Sequence, residues 1–235
     1  MTAAPLFPRI AIIGLGLIGS SIARGTMALG LAGELVTTDG SADVRRRAKE
    51  LGLGHRVTDT NAEAVKDADL VIACVPVGAC GLVAKDIAAH LKAGAIVSDV
   101  GSVKTAVLKD MAAHLPDTVD FVPAHPVAGT EHSGPDAGFA ELFVNRWCIL
   151  TPAETASPAG VERLKDFWQA LGANVETMTA EHHDLVLAIT SHLPHLIAYT
   201  IVGTADELED VTQAEVLKFS AGGFRTSPAS QRPIR

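Results

Sequence analysis

A doubly wound α/β fold followed by a helical domain is what this sequence predicts, and three observations predict it. Short apolar runs alternate with helical periods from Ile10 to Val122, the order that lays parallel strands under crossover helices. The first run empties into three glycines at the spacing G-x-G-x-x-G, namely Gly14, Gly16 and Gly19, and then into a helix. Composition changes at about residue 178, beyond which the pattern is helical without strand signals. The sheet therefore reads as a Rossmann-type dinucleotide-binding domain over residues 1–178, with a helical domain from 179.

Each element has a local reason. Ile10 to Ile13 is the opening strand, and the glycines after it have separate tasks. The first permits the tight turn, the second lets a pyrophosphate approach the backbone, and the third lets the helix lie close on its strand. Leu17 and Ile18 open that helix, whose free N–H groups and dipole attract the anion. Leu35 to Asp39 is the second strand, and Asp39 is the acidic residue at its end that bonds the ribose hydroxyls. A carboxylate there repels the extra phosphate of NADP, so NAD is the expected cofactor. NADP is the alternative, because Ser41 and the run Arg45-Arg46-Arg47 could hold a phosphate; the run reads rather as a solvated helix face, over Val44 to Leu51.

Asp69 to Val75 is a continuous apolar run, as expected of a strand covered on both faces. Pro76 stops it, which puts Val75 and Pro76 at the strand end facing the cofactor. Gly78 to Leu91 is helical in period, and Ala95 to Val100 is the next strand, emptying into Gly101-Ser102-Val103-Lys104. A helix from Lys104 to His114 leads to the strand Val119 to Val122, which empties into the stretch from Pro123 to Glu131. That places His125 just past a strand end. Ligands of such sheets lie beyond the carboxyl ends of the strands, so both polar clusters should face the nucleotide. Trp147 to Thr151, a helix after Pro158, and Ala173 to Met178 add a further layer. Thr179 is a suitable N-cap for a long helix running to about Thr204, in which Pro194 should kink or loosen one turn.

Composition narrows the function. A net charge of −8 provides no basic surface for nucleic acid, so an anionic substrate needs local positive charge. No apolar run is long and regular enough for a membrane span and no export signal is apparent, so the expected place is the cytoplasm. Three cysteines, Cys74, Cys80 and Cys148, form neither a disulfide framework nor a zinc pattern and are expected as buried free thiols. No metal is expected, since His182, His183, His192 and His195 lack convincing ligand spacing.

Two residues stand where chemistry on a nicotinamide substrate would need them. His125 has a side chain whose pKa lies near neutrality and can take a hydroxyl proton during hydride removal. Ser102, leaving the neighbouring strand, could bond the same hydroxyl or orient the nicotinamide. His192 and His195 lie three apart on one helical face.

With GLGLIGSSIARG, SDVGSVK at 98–104, PAHPVAGTEHSG at 123–134, SHLPHLIA at 191–198 and FSAGGFR at 219–225, the chain resembles the prephenate/arogenate (cyclohexadienyl) dehydrogenase family of tyrosine biosynthesis. The resemblance covers nearly the whole chain. It implies oxidative decarboxylation of prephenate or arogenate with hydride transfer to NAD(P)+, giving 4-hydroxyphenylpyruvate or tyrosine. It further implies that His125 is the base, that Ser102 steadies the substrate hydroxyl and the nicotinamide, that Glu131 belongs to a network gating the pocket, and that His195 helps to hold the substrate. Lys104 matches the family motif and is expected only to shape its loop. The helical domain is implied to be the dimerisation domain.

The family pattern breaks after Arg225. Residues 226–235, TSPASQRPIR, are polar and without period, and are expected to be disordered. A nucleotide sequence encoding them reads, with a single G placed in front, as Asp-Phe-Thr-Arg-Ile-Ala-Ala-Ser-Asp-Pro, the family's own continuation. A frame slip is the expectation, leaving the helical domain short over 179–225 and removing the family's arginine for a substrate carboxylate. Poor dimerisation and weak turnover would follow. The alternatives are another two-domain NAD(P)-dependent hydroxyacid dehydrogenase, whose usual lysine only Lys218 could supply, or a nucleotide-binding remnant without catalysis.

Overall fold

A computed structural model of the chain describes residues 4–194, 196, 197, 199 and 200. The chain divides into two compact units, Met1–His183 and Asp184–Arg235. In the first, β1 (Phe7–Ile13), β2 (Ala32–Thr38), β3 (Arg56–Val57), β4 (Leu70–Ala73), β5 (Ile96–Asp99) and β6 (Asp120–Phe121) form one sheet. Its order is β3-β2-β1-β4-β5-β6 and every pairing is parallel, the doubly wound arrangement expected from the alternation of strands and helices.

The pleat explains why the central strands are apolar throughout. Ile10, Ile12, Leu70 and Ile72 enter one core with Ile22 of α1 (Leu17–Leu29). Their neighbours Ala11, Ile13, Val71 and Ala73 enter the opposite core with Ala84 of α4 (Cys80–Ile87) and Val107 of α5 (Lys104–Ala112). α2 (Ala42–Leu51) starts at Ser41, whose side chain accepts from Val44 N–H, and ends at Gly52 in the left-handed region at φ 65°. β3 and α3 (Asn61–Val65) are additions to the expected elements, too short to carry a period. The helix expected over 78–91 is α4 flanked by 3-10 turns, Val77–Ala79 and Ala88–His90.

One local expectation is corrected. The strand predicted over 119–122 is reduced to Asp120–Phe121, and the chain re-enters a strand at β7 (Ala124–Pro126). His125 therefore lies within a strand rather than in a loop. β7 pairs antiparallel with β8 (Trp147–Leu150), which pairs parallel with β9 (Asn174–Thr177), making a second, three-stranded sheet. The helix after Pro158 is α6 (Pro158–Ala170), which adds Phe167 and Trp168 to the first core. Its cap Ser157 accepts from Gly160 N–H at 3.0 Å and donates to Asp120 Oδ2 at 2.8 Å, joining the helix start to β6.

α7 (Ala180–Leu187) begins as expected, with Thr179 Oγ1 accepting from His182 N–H at 3.2 Å. The irregularity expected of Pro194 takes the form of a π-helical turn, Ala188–His192, just before it. A proline has no N–H for the carbonyl four residues back, so the regular ladder cannot run through it. Among the described residues no helix is long and apolar enough to cross a membrane.

Candidate active site

The glycine loop sits at the carboxyl end of β1, beside the end of β4. Gly14 N–H donates to the Thr38 carbonyl at 2.8 Å, and φ of 95° puts Gly14 in a conformation that side chains rarely adopt. A Cβ on Gly14 would collide with the Cys74 carbonyl and lie 3.2 Å from Val75 Cγ1, while one on Gly19 would collide with the Gly14 carbonyl. Protein geometry alone therefore demands glycine at both positions. Gly16 differs: a Cβ there meets nothing within 4 Å. The space over Gly16 is of the kind a pyrophosphate would fill. α1 starts at Gly16 with no side-chain cap and no acidic residue in its first turn, which leaves its positive end to an anion.

Asp39, at the end of β2, accepts from Leu15 N–H through Oδ2 and from Ser41 N–H through Oδ1, each at 2.8 Å. The carboxylate thus braces the glycine loop, and its remaining lone pairs are where ribose hydroxyls would donate. The three arginines beyond it are engaged. Arg45 donates to Asp59 and to the Asp39 and Gly40 carbonyls, Arg46 pairs with Asp43, and Arg47 bridges Asp136 and Glu50. These residues fit a nicotinamide dinucleotide. Replacing Gly16 by Ala is expected to leave thermal unfolding unchanged while weakening dinucleotide binding by about tenfold, a cost near 1.4 kcal/mol, as measured by reduced-nicotinamide fluorescence. Unchanged affinity would show that the ligand does not approach there.

The next cluster is built on a buried ion pair. Lys104 and Asp99 are both wholly buried. Lys104 Nζ donates to Asp99 Oδ1 at 2.7 Å and Oδ2 at 2.6 Å, and to the Ala124 carbonyl at 2.7 Å. Asp99 also accepts from Gly101 N–H at 2.7 Å and from Ala124 N–H at 3.3 Å. Burial pushes the Asp99 carboxyl above its ordinary value, and Lys104 with the two amides pulls it back. The pair brackets the exposed Ser102 and grips both backbone groups of Ala124, so one interaction ties the Ser102 loop to the strand carrying His125.

His125 is 9% exposed, and its Nδ1 lies 2.8 Å from Nε2 of His183, which is fully buried in the first turn of α7. The rings meet edge to face, 5.0 Å between centroids. Sequence reading misses both supports of His125. The signals are a carboxylate and a lysine bracketing a Gly-Ser turn at a buried strand end, where a charge must be paired, and a histidine one turn after a capping threonine.

The remaining predicted residues fall as follows. Val75 is half-buried and Pro76 exposed at the end of β4, and Leu17 and Ile18 are half-buried at the start of α1. Glu131 is exposed and pairs with its neighbour His132 at 3.4 Å. His195 lies outside the described residues. The three cysteines are free; burial pushes the Cys80 thiol up to about 11, so it stays neutral and is no nucleophile.

The chain is similar to proteins of one family. Residues 22–177 match the family model "Prephenate dehydrogenase, nucleotide-binding domain", and residues 179–233 match "Prephenate dehydrogenase, dimerization domain". A cyclohexadienyl dehydrogenase of Zymomonas mobilis is 47% identical over 97% of this chain and 78% of its own length. A prephenate dehydrogenase of Bacillus subtilis is 33% identical over 96% of the chain and 62% of its own. Among solved structures, a prephenate dehydrogenase from A. aeolicus, in complex with hydroxyphenyl propionate and NAD+, superposes with a TM-score of 0.84 at 30% identity, over 96% of this chain and 79% of that one.

Proposed function

Because this chain belongs to the prephenate dehydrogenase family, we propose that it catalyses the oxidative decarboxylation of prephenate, or of arogenate, with NAD+, with His125 as the base. The observation that carries the reading is the placing of His125: nearly buried, on a strand gripped by Asp99 and Lys104, with its Nδ1 set against His183.

When bound, NAD+ supplies the acceptor for the hydride that leaves C4 of the ring. His125 Nε2 takes the C4 hydroxyl proton as the carbon becomes a carbonyl. The bond from C1 to the ring carboxylate then breaks, CO2 departs, and its electron pair completes the aromatic ring. His125 returns its proton to the phenolate oxygen, so no proton is gained or lost overall. Aromatisation drives the step, and the protein's part is alignment and one proton carrier. Ser102 steadies the reacting hydroxyl. Gly14, Gly16, Leu17, Ile18, Gly19, Asp39, Val75 and Pro76 hold the dinucleotide, and the carboxylate partners of Arg45, Arg46 and Arg47 favour NAD+ over NADP+. Glu131 and His195 are assigned to the substrate pocket.

The domain division proposed is 1–178 for the dinucleotide, 179–225 for the start of the helical part and 226–235 for a tail, the last lying outside the described residues. In the second unit Leu185, Ile189, Leu193, Leu196 and Ile197 are all exposed, spaced as one helical stripe. With the match to a dimerization domain, that stripe supports pairing with a second copy. Free cysteines suit the reducing cytoplasm.

Formation of reduced nicotinamide by this chain, offered prephenate and arogenate in turn with NAD+ and NADP+, tests the reading. Turnover with NAD+ and one substrate is expected. Silence with both substrates, from this chain and from one with the family's continuation restored after Arg225, while dinucleotide binding persists, would remove the assignment.

A further inference from the structure

We infer that His183 is a positioning residue that fixes the tautomer of His125, so that Nδ1 carries the ring proton and Nε2 presents its lone pair to the substrate; this rests on the reaction proposed above. The supporting geometry is the 2.8 Å contact between His125 Nδ1 and His183 Nε2. Two neutral imidazoles share such a bond in one of two senses. If His125 donates, its Nε2 is unprotonated and can accept a proton. If His183 donates, His125 carries its proton on Nε2 and cannot act as the base without turning its ring.

Chemistry and burial select the first sense. Once His125 has taken the hydroxyl proton, both of its nitrogens are donors, and only a neutral His183 can accept from Nδ1. His183 is fully buried, so a charge on it is costly. The groups packed near the pair argue the same way. Lys104, a buried cation, bonds the carbonyl of Ala124 next to His125, and Asp99, its partner, is already committed to it. The third neighbour, Cys148 on β8 opposite Pro126, has its thiol held neutral by burial. None of these three, all beside His125, presents a free carboxylate. The histidine itself is held in place by the first turn of its helix, where His183 N–H donates to the Thr179 carbonyl at 3.0 Å and Thr179 caps the chain through His182 N–H.

A neutral acceptor also suits the return of the proton. A carboxylate in the place of His183 would hold the imidazolium more tightly, whereas an imidazole leaves it acidic enough to protonate the phenolate.

Two measurements decide the inference. Imidazole 15N spectra of the wild-type protein, with His125 assigned by the signals lost in His125→Asn, are expected to show Nδ1 protonated and Nε2 unprotonated; the opposite pattern would overturn the inference. In kinetics with NAD+, His183→Leu is expected to lower kcat by about ten- to a hundredfold, the usual effect of losing a residue that orients a reacting group, with KM for either substrate little changed. His183→Gln, whose Oε1 can accept from Nδ1, should recover part of the loss. Equal impairment in Leu and Gln variants, or none, would refute the role. If neither this chain nor one with the family's continuation restored after Arg225 turned over either substrate, the proposed reaction would fail, while the spectra would still decide the tautomer. Spectra of the wild-type protein also serve where His183→Leu does not fold.

Discussion

Replacing His125 by Asn is expected to lower kcat by about two to four orders of magnitude, the usual contribution of a positioned general base, while dinucleotide affinity stays as it was. The side chain stands on β7 and makes no described hydrogen bond to the glycine loop that would hold the pyrophosphate, so binding there should not depend on it. An Asn is small enough for the nearly buried site and can still donate towards His183, so the strand should keep its place. What it lacks is a nitrogen able to take a proton near neutral pH. Stopped-flow measurement of the first turnover separates the chemical step from product release and reads the loss directly. Near-normal turnover would remove His125 from the reaction.

The second large effect is on stability. Replacing Lys104 by Met is expected to cost about 3–5 kcal/mol in urea unfolding, because it leaves Asp99 as an uncompensated charge with no exposure to water. That is a large share of the roughly 5–15 kcal/mol that holds a domain of this kind together. It also frees the Ala124 carbonyl, so turnover should fall with stability. Removing both charges together, in an Asp99→Leu, Lys104→Met variant, should not restore the protein fully. The amides of Gly101 and Ala124, which now donate to Asp99, would be buried without acceptors. By contrast, the exposed pair of Arg47 with Asp136 is short but lies in solvent, and its loss should be hard to detect. A Lys104→Met protein as stable as the parent would mean that Asp99 is protonated in the fold rather than paired.

Much of the dinucleotide half of the site is legible in the residues themselves. Gly14 and Gly19 are glycines because their neighbours leave no room, whereas at Gly16 the protein itself leaves the space open, as the proposed dinucleotide would need. A turn of that kind is a local matter, written in three residues and the strand before them. Asp39 is legible for the same reason, as the residue that ends the next strand. Its bracing task is not: both oxygens accept from backbone amides, and one of those amides belongs to the glycine loop. The half proposed as catalytic is harder to read. Residue type and position single out His125, but they place it in a loop, because a three-residue strand has no period and its pairing partner β8 is set by the chain beyond it. Lys104 reads from its motif as a residue that shapes a loop; its buried contact with Asp99 and Ala124 makes it the brace of the whole cluster.

By itself the sequence determined the class of fold, the alternation of strands and helices, the glycine turn with its acidic companion, and the capped start of the last described helix. All of these follow from period, steric freedom and hydrogen bonds between residues close in the chain. Only the tertiary structure decided that β7 joins a second sheet, that Asp99 and Lys104 hold that strand, and that His125 meets His183, 58 residues away. Contacts of that kind are fixed by how buried polar groups find partners once the cores on both faces of the sheet have closed, and no local pattern records them.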